Sequence, residues 1–268
     1  MKNFALAVFL LFVAATFSEE RKMEPLSRTM PAGITPGEIV QKFAAREKEF
    51  KEAREKYTYR QYVVVQTIDD KALPDGEYRQ VTDILFNDKG KRIENVVYAP
   101  RPTLKRIGMT QEDFDDLEHR MPFVLTSDEI DEYDILYIGR QHIDELNTYV
   151  FDIAPKEMKK GKRYFKGRIW VDAEDFQIVL TKGKNVPDIH GKQENLFPAF
   201  TTYREQIDGK YWFPTYTHAD DVLKFSNNSV RIKMTVTYKD YKRFGTKVKI
   251  IFDGQQVEKK EEKKEEKK

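Results

Sequence analysis

From Tyr57 to Tyr241 apolar and polar side chains mostly alternate, and the elements this predicts are mainly strands. Tyr57, Tyr59, Gln61, Val63 and Val65 interleave with Thr58, Arg60, Tyr62, Val64 and Gln66, a period of two in a run of mixed polarity. Asp69–Gly76 is a turn region, and return strands are expected at Glu77–Asn87 and Arg92–Tyr98. Asp88-Lys89-Gly90-Lys91 turns the first of these, and Ala99-Pro100-Arg101-Pro102 stops the second. Seven more strands are expected at Tyr133–Gln141, Asn147–Pro155, Tyr164–Asp172, Ile178–Lys184, Thr201–Ile207, Tyr211–Ala219 and Val230–Tyr241. The last alternates most clearly: Val230, Ile232, Met234, Val236 and Tyr238 face one way, Arg231, Lys233, Thr235, Thr237 and Lys239 the other. Such a strand belongs to a sheet with one face buried and one in water.

Two stretches break the period. Thr35-Pro36-Gly37-Glu38 combines an N-cap threonine, a proline at the first helical position and a glutamate three residues after the cap. Ile39, Lys42, Phe43, Glu47 and Phe50 continue it, with apolar positions at helical spacing and charges elsewhere, and Glu and Lys/Arg alternate through Arg46–Lys56. One amphipathic helix over about residues 36–56 follows. Within 103–132, Thr110-Gln111-Glu112-Asp113 opens a short helix, and Thr126-Ser127-Asp128-Glu129 opens another at capping-box spacing. Between them Met121-Pro122-Phe123-Val124-Leu125 is apolar and must be buried. A helical insert at 110–132 in a β chain is a candidate lid, with Phe114, Leu117, Phe123 and Leu125 as its apolar side chains. The fold class is α+β, mainly antiparallel β.

The ends of the chain change the picture. Lys2 precedes an apolar or small run of 14 residues from Phe4 to Phe17, followed by Ser18-Glu19-Glu20-Arg21-Lys22. That run suits a signal-peptide core better than a span, which needs about 20 apolar residues. Residues 1–18 are therefore expected as a signal peptide, cut after Ala15 or Ser18, leaving a soluble protein outside the cytosol. Residues 19–35, with Pro25, Pro31 and Gly33, are expected as a mobile leader. One domain over 36–245 follows, then a C-terminal extension over 246–268 whose Lys/Glu run from Glu258 cannot build a core.

Charge and chemistry mostly exclude. With residues 1–18 and the Lys/Glu tail set aside, acidic and basic residues balance. A nucleic-acid binder needs a basic surplus. The chain has no cysteine, which removes thiol chemistry, thiolate metal sites and disulfides. Its four histidines, His119, His142, His190 and His218, share no metal-ligand spacing. His218-Ala219-Asp220-Asp221 and Asp188-Ile189-His190 would have to meet in space to hold a metal. Asp172, Glu174 and Asp175 fall where a turn is expected. No nucleophile elbow, phosphate loop or dinucleotide fingerprint occurs. No catalytic residue, metal or cofactor is expected, and the protein is read as not an enzyme.

The aromatic residues are more informative. Tyr149, Phe151, Phe165, Trp170, Trp212, Phe213 and Phe225 are spread over several expected strands. They fill an ordinary core, or, if the sheet curves and stays partly open, Phe151, Phe165, Trp170, Trp212, Phe213 and Phe225 line an apolar cavity.

Tyr164-Phe165-Lys166-Gly167-Arg168-Ile169-Trp170-Val171-Asp172, then Ala173-Glu174-Asp175-Phe176-Gln177-Ile178-Val179, forms a strand ending Trp-Val-Asp, an acidic turn and a strand beginning Gln-Ile-Val. This resembles the outer-membrane lipoprotein-sorting proteins of the LolA/LolB superfamily, with their RseB-like and LppX-like relatives. Tyr149–Ile153, Phe200-Thr201-Thr202-Tyr203-Arg204 and Tyr211-Trp212-Phe213-Pro214 agree with it, so that it covers most of 36–244. The resemblance implies a half-open barrel whose concave face is covered by helices and whose cavity takes acyl chains. The resemblance does not assign the family's lid-latching arginine in this sequence; Arg60 matches by position only.

The function so implied is a periplasmic, non-enzymatic carrier of lipid or lipoprotein acyl chains. An inner- or outer-membrane acceptor or regulator would be its protein partner. Two other classes stay open: an RseB-like envelope sensor or interaction module, and an extracytoplasmic hydrolase with a dispersed Asp/His site.

Overall fold

A computed structural model describes residues 21–87, 91–117, 121–122, 125–187 and 195–243. The expected signal peptide, Phe123, His119, His190 and the Lys/Glu tail lie outside the described residues. Helix α1 (Pro36–Arg54) begins with the expected capping box: the Glu38 amide donates to the Thr35 hydroxyl, and the Thr35 amide donates to the Glu38 carboxylate at 2.8 Å. Ten strands follow: β1 (Tyr57–Ile68), β2 (Pro74–Phe86), β3 (Arg92–Tyr98), β4 (Tyr133–Ile143), β5 (Leu146–Pro155), β6 (Tyr164–Asp172), β7 (Ile178–Val186), β8 (Phe200–Ile207), β9 (Tyr211–Lys224) and β10 (Ser229–Arg243). The insert contains a single α-helix among the described residues, α2 (Gln111–Asp115). Where a second was expected after Thr126, the chain makes a turn and a 3-10 segment, Ile130–Glu132.

All ten strands form one antiparallel sheet in the order β3-β2-β1-β10-β9-β8-β7-β6-β5-β4. The sheet does not close and makes an incomplete barrel. The first and last strands pair inside the sheet, third and fourth from the β3 edge, from Tyr57 opposite Arg243 to Ile68 opposite Arg231. Since β3 and β4 are the two edges, the connection 99–132 has to cross from one edge to the other. It does so over the same concave face as α1.

That inner face is the core. Ile39, Phe43 and Ala44 of α1 pack with Val63, Val65, Ile84, Phe151, Phe165, Ile169, Phe200, Met234 and Val236, joined by Leu117, Met121 and Leu125 of the crossover. Phe43 meets Phe151 at 5.8 Å and Phe50 meets Phe213 at 5.1 Å, so α1 lies across strands from β9 to β5. All five apolar residues assigned to one face of β10 are buried. A smaller apolar ladder runs over the outer face, where Val150, Trp170, Leu180 and Tyr203 are successive cross-strand partners.

The two sheet edges differ. The segment expected as a mobile leader is, from Lys22 to Ser27, hydrogen-bonded to β4, with Ser27 and Arg140 exchanging both backbone bonds at 2.9 and 2.7 Å. This close approach requires Gly139, which has φ of 149° and interrupts the β4–β5 register. A Cβ there would fall on the Ser27 carbonyl. Gly139→Ala is therefore expected to lift the leader off the edge, so that the Glu24 and Ser27 amides lose hydrogen-exchange protection while those of β10 keep theirs. Unchanged protection at Glu24 and Ser27 would show that the leader does not depend on this glycine.

Candidate ligand-binding site

The inner face is held together by a buried ion pair. Glu47 lies on the apolar stripe of α1 between Phe43 and Phe50, with no solvent exposure, and Arg204 of β8 is 1% exposed. The Arg204 guanidinium donates to both Glu47 carboxylate oxygens at 2.7 and 3.2 Å and to the Ile178 carbonyl at 3.3 Å. It also reaches toward the Pro122 carbonyl of the crossover at 3.5 Å, and its carbon lies 5.0 Å from the centre of the Phe50 ring. Burial pushes the Glu47 carboxyl up, and the Arg204 charge pulls against it. α1, β7, β8 and the crossover thus meet at one guanidinium.

The crossover is tied down twice more. The Thr202 hydroxyl donates to the Met121 carbonyl at 2.9 Å. Asp116, just after α2, accepts two bonds from Arg163, one from Nε at 2.8 Å and one from Nη2 at 2.5 Å. Arg163 also donates to the Pro187 carbonyl and lies flat on Phe197 at 3.8 Å. Arg163 is therefore the latch on this insert. Arg60, the positional match, instead pairs with Asp83 on the outer face at 2.6 Å. Strand alternation places Arg60 opposite to Tyr59 and Gln61, which are buried.

Between the latched crossover and the strands lies a cavity of about 270 Å³. Val65, Phe200, Leu223, Ile232 and Met234 form its floor, and Ile107–Thr110, Leu117 and Met121 its roof. Phe197 and Phe225 close one end. Its polar lining is Asn185 from β7 and, around α2, Thr110, Glu112, Asp113 and Asp116. Burial holds the Asp113 carboxyl above the ordinary carboxylate range, against the Thr110 hydrogen bonds and with help from Asp116 and Glu112. A wider groove of about 1000 Å³ lies on the outer face, lined by Arg168, Trp170, Lys182, Tyr203 and His218 among others. It is broad and rich in charge, and an apolar ligand would gain less there.

The residues proposed from sequence are divided among these regions. Phe225 and Leu117 line the inner cavity. Phe151 and Phe165 are fully buried in the main core, with Leu125, and Phe114 packs against that core beside Tyr78. Phe213 sits in a separate cluster with Phe50 and Tyr57. Trp170 and Trp212 belong to the outer-face cluster, each fixed by its indole N–H, to Gln141 at 2.7 Å and to Asp175 at 2.9 Å. Neighbours in a strand point to opposite faces, so Trp212 and Phe213 cannot line one cavity, nor can Ile169 and Trp170. His218 stacks beside Tyr203 and Tyr216 on the outer face, with ring centres 5.9 and 5.6 Å away. Asp172 accepts from the amides of Glu174 and Asp175, the expected turn. Among the described residues no group of three His, Asp or Glu could hold a metal ion.

The class of protein defined here is an open antiparallel half-barrel with a small apolar cavity beneath a latched crossover. No family model and no curated protein sequence matches the chain. Solved structures similar to it include a DUF1329 family protein from Desulfovibrio piger, at 14% identity over 77% of this chain and 92% of that one, with a TM-score of 0.38. LolA superfamily protein NE2245 from Nitrosomonas europaea follows at 13% identity, covering 75% and 94%, with a TM-score of 0.33. A putative outer membrane lipoprotein-sorting protein domain from Vibrio parahaemolyticus has 12% identity, 74% and 90% coverage and the same TM-score of 0.33.

Removing one partner of a buried pair leaves the other charge stranded, at a cost of about 3–5 kcal/mol. Glu47→Ala and Arg204→Ala are each expected to lower unfolding stability by that amount in urea titrations. The double variant Glu47→Leu/Arg204→Met is expected to recover most of it. Single variants that cost under about 1 kcal/mol would show that the pair does not pin α1.

Proposed function

We propose that the chain is an exported, non-enzymatic carrier that shelters an acyl chain in the inner cavity. The single observation carrying this is a largely apolar space of about 270 Å³ under a segment tied to the sheet by polar contacts as well as by the packing of Leu117, Met121 and Leu125. Ordinary ligand sites measure roughly 300–1,000 Å³, so this one suits a single slim chain. The charged start and apolar run of residues 2–17 support export. No helix among the described residues is long and apolar enough to cross a membrane.

A second reading, an interaction module, is favoured by one feature. Among the described residues β3 pairs only with β2, and Val96, Val97 and Tyr98 on it are 52, 49 and 52% exposed. An uncovered apolar edge is a template for a partner's strand.

The test is uptake of a fluorescent acyl probe by the protein lacking residues 1–18, compared with Leu223→Trp, which fills the cavity. The wild type is expected to bind and the variant to lose at least tenfold in affinity while its unfolding midpoint stays close to wild type. Lipid mass spectrometry of protein purified from its native compartment would name the cargo. A wild type that takes up no probe and carries no lipid, yet cross-links to an envelope protein through Val97, would replace the carrier reading with the second one.

A further inference from the structure

One polar side chain in the cavity has no structural employment. Asn185 is on the inner face of β7, opposite Phe165 in the register, and is 2% exposed. It lines the cavity, and its carboxamide oxygen is buried without a hydrogen-bond partner among the described residues. The floor around it is Val65, Phe200, Leu223, Ile232 and Met234, none of which can donate. A buried carbonyl left in this way destabilises the fold, and an apolar residue of similar size would serve packing better. Its presence is explained if a ligand group completes it.

The charge of the other polar wall restricts what that group can be. Glu112, Asp113 and Asp116 face the same space from α2 and the residue after it. Asp116 is neutralised by Arg163. Glu112, which is exposed, and the half-buried Asp113 sit on the polar side, and no basic side chain lines the cavity among the described residues to receive a carboxylate.

We infer that the ligand joins an apolar chain to an uncharged or cationic hydrogen-bond donor (an amide N–H, a hydroxyl or an ammonium), received by Asn185, and that a free carboxylate is rejected. This rests on the carrier reading and names the class of cargo within it. An amide or a hydroxyl pairs with either end of the carboxamide, whichever way Asn185 is turned. N-acylated peptides, ceramide-like amides and long-chain alcohols share this chemistry, whereas free fatty acids do not.

The test uses probes of one chain length with different heads: decanamide, decanol, decylamine and decanoate, titrated at neutral pH against the protein lacking residues 1–18. The wild type is expected to bind decanamide and decanol at least tenfold more tightly than decanoate. Decylamine separates an ammonium source from the neutral ones. In Asn185→Leu the decanamide affinity is expected to fall about tenfold, the worth of one hydrogen bond. The same variant, without ligand, should unfold at a higher temperature than wild type, an outcome that a purely structural asparagine would not give. Asn185→Ser, which shortens the side chain, serves if the leucine variant does not fold and should show the same loss for decanamide. Equal affinity for decanoate and decanamide, or an equal loss for every head in the variants, overturns this inference and leaves the carrier reading standing. Failure of all four probes to bind the wild type overturns the carrier reading itself.

Discussion

The pairing of Arg204 with Glu47 is the contact on which the inner face depends. A helix laid across a sheet can slide or rotate as long as only apolar side chains meet, because hydrophobic contact has little direction. A bidentate ion pair at 2.7 and 3.2 Å between fully buried partners has one geometry. It sets the position of α1 over β8, and through the Ile178 carbonyl and the Phe50 ring it sets the neighbouring elements as well. Such a pair is a costly source of stability and a good source of uniqueness.

The second constraint is topological. With the first and last strands paired inside the sheet, β3 and β4 become the opposite edges, and residues 99–132 have to span the sheet between them. The crossover must lie on a face. The inner face is the apolar one, and its cover packs Leu117, Met121 and Leu125 into the core and adds polar anchors, Asp116 to Arg163 and Met121 to Thr202. A cavity persists between those points. The Arg163–Asp116 pair that ties the roof down is itself largely buried, with side chains 14% and 4% exposed, above an apolar floor.

The two edges of the sheet are handled differently, and the difference bears on partners. At β4 the leader adds backbone pairing and removes the exposed row of donors and acceptors. At β3 no described segment does so, and Val96, Val97 and Tyr98 remain about half in solvent. Carrier and interaction module are compatible on one scaffold, since the cavity and the bare edge involve different residues.

The alternation of β10, the Thr35 capping box and the turn at Asp172 could be read directly, because each depends on residues within a few positions of one another. Glu47 counted only as one of the charged positions of the helix, and its burial came with the fold. Its partner at Arg204 was not legible either, since the two are 157 residues apart and only the fold joins them. Arg163 and Asn185 escaped notice for the same reason: a latch and an uncompleted polar group are defined by what surrounds them in space. The aromatic candidates were divided because composition reports how many rings must be buried, while the face each takes follows from register. The sequence by itself determined the strands, the long helix and the one-sided sheet, through local periodicity and capping. Only the tertiary structure decided which strands are edges, what crosses the inner face and where a cavity remains, because these depend on long-range pairing that no local pattern encodes.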